Sequence, residues 1–536
     1  MMTLDRGVHQ RTRIPRTRPY PPRASTPLGP CVQAHPRNRR NVKLVTLLLI
    51  FTFACVACFG SAYYLFRTRW GTLPDHLRAL YADSAPFEAN TSICDDNTHG
   101  RRAPIDPNER FLAYLPHSGF NNQRIAFENA LVLSRILNRT LIVPPVRLGD
   151  KPVPYFPLDR LSRTLALAEK NGLGHCAHVP PGLSTPPECS DYFDFSHIPW
   201  DWLIDLSLVK SKQKLLCRWS FAEGWFNDIL GISENQTFLM HDHNLYHYRF
   251  VDNVGSSNRN NGYLEDVSID ALVQRKQKLL LFGSLFGSAR LQFHREEHLE
   301  MRREIREAML IAHPILNRIS TSISKALGDA YLAIHLRASE SKFERASETN
   351  SREIWWTLIH QFLNLTLDDT SRLEKIIQNN ERGVTAMELN RLNSPNRVPL
   401  NDTERSALDI ASRSICPRSQ MYASAQSLLG NNPPLLYIAT DLRDTRNHPL
   451  LLRFRAFFPC TFDLSNFSSH LTLLNQLVNP VDGLPLRRHF LPFVDALIAS
   501  KAVRVAGTRG STFSYYIEDI LWRRNHDLPI KQRGTF

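Results

Sequence analysis

The sequence predicts an α/β protein in which two facing Rossmann-like domains follow an N-terminal transmembrane helix. Three observations predict it: an uncharged apolar run near the N-terminus, strand and helix signals alternating beyond residue 108, and polar turn segments where strands give way to helices. At 536 residues the chain is long for one domain and suits two.

The apolar run comes first. Residues 44–66 read LVTLLLIFTFACVACFGSAYYLF, 23 positions without a charge. At about 1.5 Å per residue this is long enough to cross a hydrocarbon core of about 30 Å. A buried core helix would carry a polar stripe, and a cleaved signal peptide would be shorter and start nearer the terminus. The run therefore reads as a retained signal anchor. Residues 1–43 hold ten Lys or Arg against one acid, Asp5, a basic cytosolic tail that places the remainder of the chain across the membrane. The tail supplies about +9 (10 − 1) of the net charge of +14, so the basic balance is mainly a topology signal and argues against nucleic-acid binding.

The C-terminal bulk agrees with a lumenal, type II arrangement. Six glycosylation sequons, at Asn90, Asn138, Asn235, Asn364, Asn401 and Asn466, lie beyond the anchor. So do six cysteines, Cys94, Cys176, Cys189, Cys217, Cys416 and Cys460, an even number suited to an oxidising compartment. No paired-cysteine spacing of a zinc site occurs among them. The short tail, anchor and a Pro- and Ser-containing stem over 67–107 favour the Golgi over the endoplasmic reticulum.

The body divides in two. Within 108–325, a short apolar run at 111–115, a helical pattern at 125–137 and a strand at 141–143 make a β–turn–α–β unit. The middle is Pro-rich and less periodic, up to an apolar run at 281–286 and a charged helical stretch at 296–324. Within 326–530, strands are expected at 331–336, 435–440 and 502–506, with helices at 421–429, 449–457, 490–500 and 515–524. Residues 365–415 read as a polar insertion. Paired Rossmann-like domains bind ligands at the carboxyl ends of their parallel strands.

Four segments fall at such ends. Gly119-Phe120-Asn121-Asn122-Gln123-Arg124 pairs a turn-forming glycine and a helix N-terminus with amides suited to sugar hydroxyls and an arginine suited to phosphate. It reads equally well as a polar turn. His335 and Arg337, two apart at the end of YLAIHLR, project to one face, and arginine offers a fixed, permanently charged fork. Thr440-Asp441 closes the next strand. The segment 507–514, GTRGSTFS, can cradle a diphosphate at a helix start or can simply cap that helix. His241-Asp242-His243 lacks further ligands at helical spacing and reads as a polar loop, so no metal site is expected.

These segments together resemble the GDP-fucose-dependent protein O-fucosyltransferase family, over roughly 108–525. FLAYLPHSGFNNQRIAFENALVLSRILNRTLIVPP is similar to that family's first motif, YLAIHLR to its His-x-Arg strand, and LYIATD with VAGTRGSTFSYYI to its phosphate-holding region. The resemblance implies a GT-B-type pair of domains and an inverting, metal-independent transferase that uses GDP-fucose as donor substrate and a protein or glycan hydroxyl as acceptor. It implies that Arg337 assists departure of GDP, that His335 contacts the donor, and that Asn121 or Asn122 positions sugar and phosphates. Asp441, Gly510, Ser511, Thr512 and Phe513 would hold the nucleotide and its diphosphate. Where family members with a catalytic glutamate place it, just before the Gly-Phe-Asn triplet, this chain has Ser118, preceded by His117. Either His117 substitutes as base or the reaction passes through an ion-pair-like state that needs little base help; the second is favoured. A transferase using another nucleotide-sugar, and a lumenal binding protein without turnover, are the alternatives.

Overall fold

The computed structural model describes residues 48–61, 106–179, 183–253, 262–339, 341–378, 398–416, 433–458 and 460–532. The tail at 1–43, most of the stem, Asn90, Cys94 and the helix expected at 421–429 lie outside them. The chain separates into Met1–Tyr81 and Ala82–Phe536. In the first unit, residues 48–61 are helical, with Leu48, Phe51, Phe53, Val56 and Phe59 exposed. Among the described residues no helix is long and apolar enough to cross a membrane. The ends of the expected anchor, 44–47 and 62–66, lie outside them.

The second unit is built on two parallel sheets. The first has five strands, ordered in space as Leu215–Cys217, Thr140–Val143, Phe111–Ala113, Leu279–Phe282 and Thr237–Met240. The second has four, ordered Thr461–Phe462, Leu436–Thr440, Leu332–Leu336 and Arg504–Gly507. All neighbours in both sheets run parallel. Their near-continuous apolar runs suit strands covered on both faces. Thus Leu332 to Leu336, which includes His335, is buried throughout.

Strand order fixes where a ligand can enter. In the first sheet the chain steps outward from Phe111–Ala113 to Thr140–Val143 and Leu215–Cys217, then returns on the other side. The reversal lies between Phe111–Ala113 and Leu279–Phe282. In the second sheet the chain steps from Leu332–Leu336 outward, then returns beside it as Arg504–Gly507. Connections that diverge at such a reversal leave a crevice beyond the carboxyl ends of the strands. The carboxyl ends at the two reversals are followed by His117–Gly119 and Ser284, and by Arg337 and Thr508, respectively.

Side chains from both sheets share one apolar core. Phe127 on the helix Phe120–Ile136 stacks on Trp200, ring centroids 4.4 Å apart, and the same core takes in Ile334, Tyr437 and Ile498. The boundary expected near 325 falls in the helix Pro314–Ala326, without a break in that core.

Departures from the sequence expectations have local causes. The charged stretch at 296–324 is two helices, Glu296–Glu307 and Pro314–Ala326, because Pro314 cannot continue a helix but suits its first turn. The insertion at 365–415 contains the helices Leu367–Gln378 and Asp402–Ile415, the second closed by a capping box between Asn401 and Glu404. Leu373, Leu408 and Ala411 pack inward from them, so the segment is partly core. Cys176–Cys189 and Cys416–Cys460 are disulfides, and Cys217 is also disulfide-bonded.

Phe127 has no exposed surface, and truncation would leave a cavity against Trp200. Phe127→Ala is expected to lower unfolding free energy by about 3–5 kcal/mol in urea titration; a loss below about 1 kcal/mol would show that the core is not shared as described.

Candidate active site

The second sheet's reversal supplies the denser cluster. His335, next to last in its strand, is almost fully buried, with Nδ1 2.7 Å from Ser514 Oγ and its ring 5.3 Å from that of Phe513. Burial pushes its pKa down to about 4, so it is neutral at physiological pH. Two residues on, the Arg337 backbone N–H donates to Thr508 Oγ1 at 2.8 Å, and its guanidinium Nε lies 3.2 Å from Asp441 Oδ2. Asp441 also accepts the backbone N–H groups of Ala338 and Ser339, at 2.8 and 3.3 Å. Its carboxylate thereby shapes the turn after the strand and orients Arg337, whose side chain stays partly open to solvent.

The segment after Arg504–Gly507 closes over this strand end. Thr508 is wholly buried, and its N–H and hydroxyl both donate to the His335 carbonyl. Gly510 is exposed at φ 75°, a left-handed conformation that glycine adopts without strain. Ser511 caps the helix Thr512–Tyr516, its hydroxyl accepting from Ser514 N–H at 3.3 Å. Gly507 is needed for close approach, since a Cβ there would lie 2.6 Å from Ser514 Cβ. Its N–H donates to Glu518 Oε1 at 2.5 Å. Glu518 lies in the π-helical stretch Ile517–Trp522, and single wide turns of this kind recur at functional sites.

The loop from the first sheet reaches across to this cluster. Asn121 Nδ2 donates to the Thr512 carbonyl at 2.5 Å, and Thr512 Oγ1 donates to Asn122 Oδ1 at 2.8 Å. Gly119, Asn121, Asn122, His335, Arg337, Asp441 and 508–513 therefore belong to one neighbourhood, although nearly 400 residues separate its ends.

Three expected site residues instead hold the loop in place. Gln123 is buried, its amide bonded to the backbone of Ser118 and on both sides to that of Arg147. Arg124 is fully buried and donates to Asn121 and Glu128; Glu128 also pairs with Arg306 at 3.0 Å. Its guanidinium lies 4.6 Å from the Tyr516 ring centroid, so it braces the two loops rather than facing a ligand. The Phe120 ring packs on Phe493 and Trp200.

His117 sits at the first sheet's reversal. It is buried, with Nδ1 2.8 Å from Ser118 Oγ and Nε2 2.6 Å from Ser284 Oγ. Burial first, and Arg290 second, push its pKa down to about 4. Thr508 and Ser514 fall within the candidate segment 507–514 that the sequence marked, without a role of their own there. Ser284 and Glu518 are neighbours that sequence reasoning did not single out, since a serine two residues past a strand and a glutamate inside a helix carry no signal. Asp242 is buried and accepts from Tyr155 O–H and Leu158 N–H, so it caps the helix Leu158–Leu167. Among the described residues the one grouping with metal-ligand geometry is His175, Cys176 and Cys189, and its two sulfurs are joined to each other.

His335 sets a pH dependence of stability. An unfolded histidine titrates near 6.5, and the folded value is about 4. The folded state then binds fewer protons, so its contribution is complete above pH 6.5 and is lost as pH falls toward 4. His117, His313 and His489 act in the same sense. Asp495, raised by burial to about 7, opposes them. The urea midpoint is expected to fall as pH is lowered from 6.5 to 4; a constant or rising midpoint would contradict these environments.

No family model matches the sequence. O-fucosyltransferase 30 of Arabidopsis thaliana is 60% identical over 38 residues, 7% of this chain and 8% of that protein. The chain thus spans less than a tenth of the length of the curated relative it matches. A crystal structure of POFUT1 in complex with GDP superposes with a TM-score of 0.34 at 12% identity, covering 80% of this chain and 98% of that one. One in complex with GDP-fucose gives 0.34 at 12%, covering 81% and 98%. Over its 38 matched residues, this chain resembles an O-fucosyltransferase.

Proposed function

We propose that this chain transfers fucose from GDP-fucose to a hydroxyl of a protein or glycan acceptor, with inversion at the sugar and without a metal ion. The observation that carries the reading is Arg337 at the reversal of a parallel sheet, oriented by Asp441 and set beside the loop capped by Ser511. The 38-residue similarity to O-fucosyltransferase 30 supports fucose as the sugar.

The chemistry follows from charge. As the anomeric carbon leaves its phosphate, negative charge grows on the departing diphosphate. The Arg337 guanidinium is positioned before that charge appears, so it favours the transition state over the bound donor. The Ser511 hydroxyl proton and the first backbone amides of the helix Thr512–Tyr516 remain for the same anion, while Tyr515 holds the Gly510 N–H and Asn122 the Thr512 hydroxyl. Asn122 reaches the donor from the other sheet. Neutral His335 holds Ser514 and Phe513, the latter available to stack on a nucleobase or sugar face. His117 is enclosed, which favours the ion-pair-like route that needs little help from a base.

The apolar run at 44–66 and the basic tail support a single-pass type II protein with its catalytic part in the lumen, and the stem supports the Golgi.

Arg337→Ala is expected to lower GDP-fucose turnover by about 10²–10³-fold, by analogy with the loss of one preorganised oxyanion donor. Arg337→Lys should recover little, since a point charge lacks the planar fork. GDP release is measured with GDP-fucose, GDP-mannose and UDP-glucose as donors. Unchanged turnover in a folded Arg337→Ala variant would remove the mechanism, and preference for another donor would remove the sugar assignment.

A further inference from the structure

Ser118 is the half-exposed end of a buried hydrogen-bonded chain. It sits at φ 63°, a left-handed conformation unusual for serine and of a kind that collects at functional sites. Its backbone is fully engaged: the N–H donates to the Val153 carbonyl at 2.6 Å, and the carbonyl accepts from Gln123. Its hydroxyl meets His117 Nδ1 at 2.8 Å, and the residue is half-exposed.

The tautomer of His117 follows from the network. Ser284 Oγ accepts the Phe286 N–H at 3.1 Å and has no exposed surface. Its own proton is satisfied if it donates to His117 Nε2, 2.6 Å away. Nδ1 then carries the imidazole proton and donates to Ser118 Oγ. One lone pair of Ser118 is occupied, while the other and the hydroxyl proton remain for a ligand. Arg290 and Tyr155 also face the ring; Tyr155 is bonded to Asp242, and Arg290 disfavours an imidazolium.

We propose that the Ser118 hydroxyl is the acceptor-side hydrogen-bond partner in the transfer, receiving the O–H of the attacking hydroxyl, with His117 as its positioning residue. This rests on the fucosyl-transfer reading. In that reading the donor's phosphates face Arg337 and the segment 508–513 at the second sheet's reversal, which leaves the first sheet's reversal, where Ser118 lies, to the acceptor. The acceptor oxygen bonds to the anomeric carbon as that carbon's bond to the phosphate oxygen breaks, and the electron pair leaves with GDP. The acceptor's proton passes to Ser118 Oγ as the serine's own proton passes to a water molecule of the solvent. His117 stays neutral throughout, consistent with its pKa of about 4.

The test uses the full chain, with GDP affinity from calorimetry and turnover from GDP release, water serving as acceptor. Ser118→Ala and Ser118→Gly are expected to lower kcat about tenfold or more, with GDP affinity and donor KM unchanged. Glycine relieves the positive φ, so a slow but more stable Ser118→Gly variant separates chemistry from folding. The native pH profile of kcat/KM should be flat from about pH 5.5 to 8, and His117→Asn should slow turnover without changing that shape. Native-like turnover in both Ser118 variants would overturn the proposal, as would an acid limb between pH 6 and 7 that His117→Asn abolishes. A native chain that binds GDP without turning over GDP-fucose would instead overturn the transfer reading, and this proposal with it.

Discussion

Two hydrogen bonds between Thr512 and the Asn121–Asn122 pair join the parts of the molecule that carry its chemistry. Each parallel sheet, by the order of its strands, leaves one crevice at its carboxyl end. The two crevices carry different side chains, Arg337 and Thr508 at one and His117, Ser118 and Ser284 at the other. The Thr512 contact brings them to one neighbourhood, and most of the surrounding polar structure serves to hold it there. Arg124 supports Asn121 from below and rests on Tyr516, so one buried guanidinium touches both loops.

That support is costly, which explains its extent. Burying a guanidinium is costly unless it is paired or fully hydrogen-bonded, and Glu128 serves both Arg124 and Arg306. Removing one member of such a group strands another charge, a loss of about 3–5 kcal/mol. The second sheet uses a cheaper device: Thr508 and Asp441 satisfy backbone groups beyond the strand ends, leaving Arg337 oriented but partly open. Rigid support thus lies under the loops, and the groups left to solvent are the ones suited to a ligand.

Much of this was legible in the sequence because strand ends announce themselves. YLAIHLR, LYIATD and VAGTRGSTFS each pair an apolar run with a polar turn, and all three strands form within two residues of the expected bounds. The roles inside GFNNQR were not legible. Asn, Gln and Arg at a helix start read alike for ligand binding and for structural bracing; only the fold shows Gln123 turned to the Arg147 backbone and Arg124 to Glu128. Residues 365–415 misled for a different reason. Their helices Leu367–Gln378 and Asp402–Ile415 bury a narrow apolar stripe, which a polar average hides. Ser284 and Glu518 act through partners 167 and 11 residues away, and sequence offers no signal at such separations.

The central claim is that loops from the two sheets build one nucleoside-diphosphate site. Calorimetric titration of the full chain with GDP, against UDP as control, tests it most directly. The account predicts micromolar GDP binding that is weakened in Asn122→Ala and abolished in Arg337→Ala, with both variants folded. A folded chain that binds no GDP, or an Arg337→Ala variant that binds as tightly as the native protein, would contradict it.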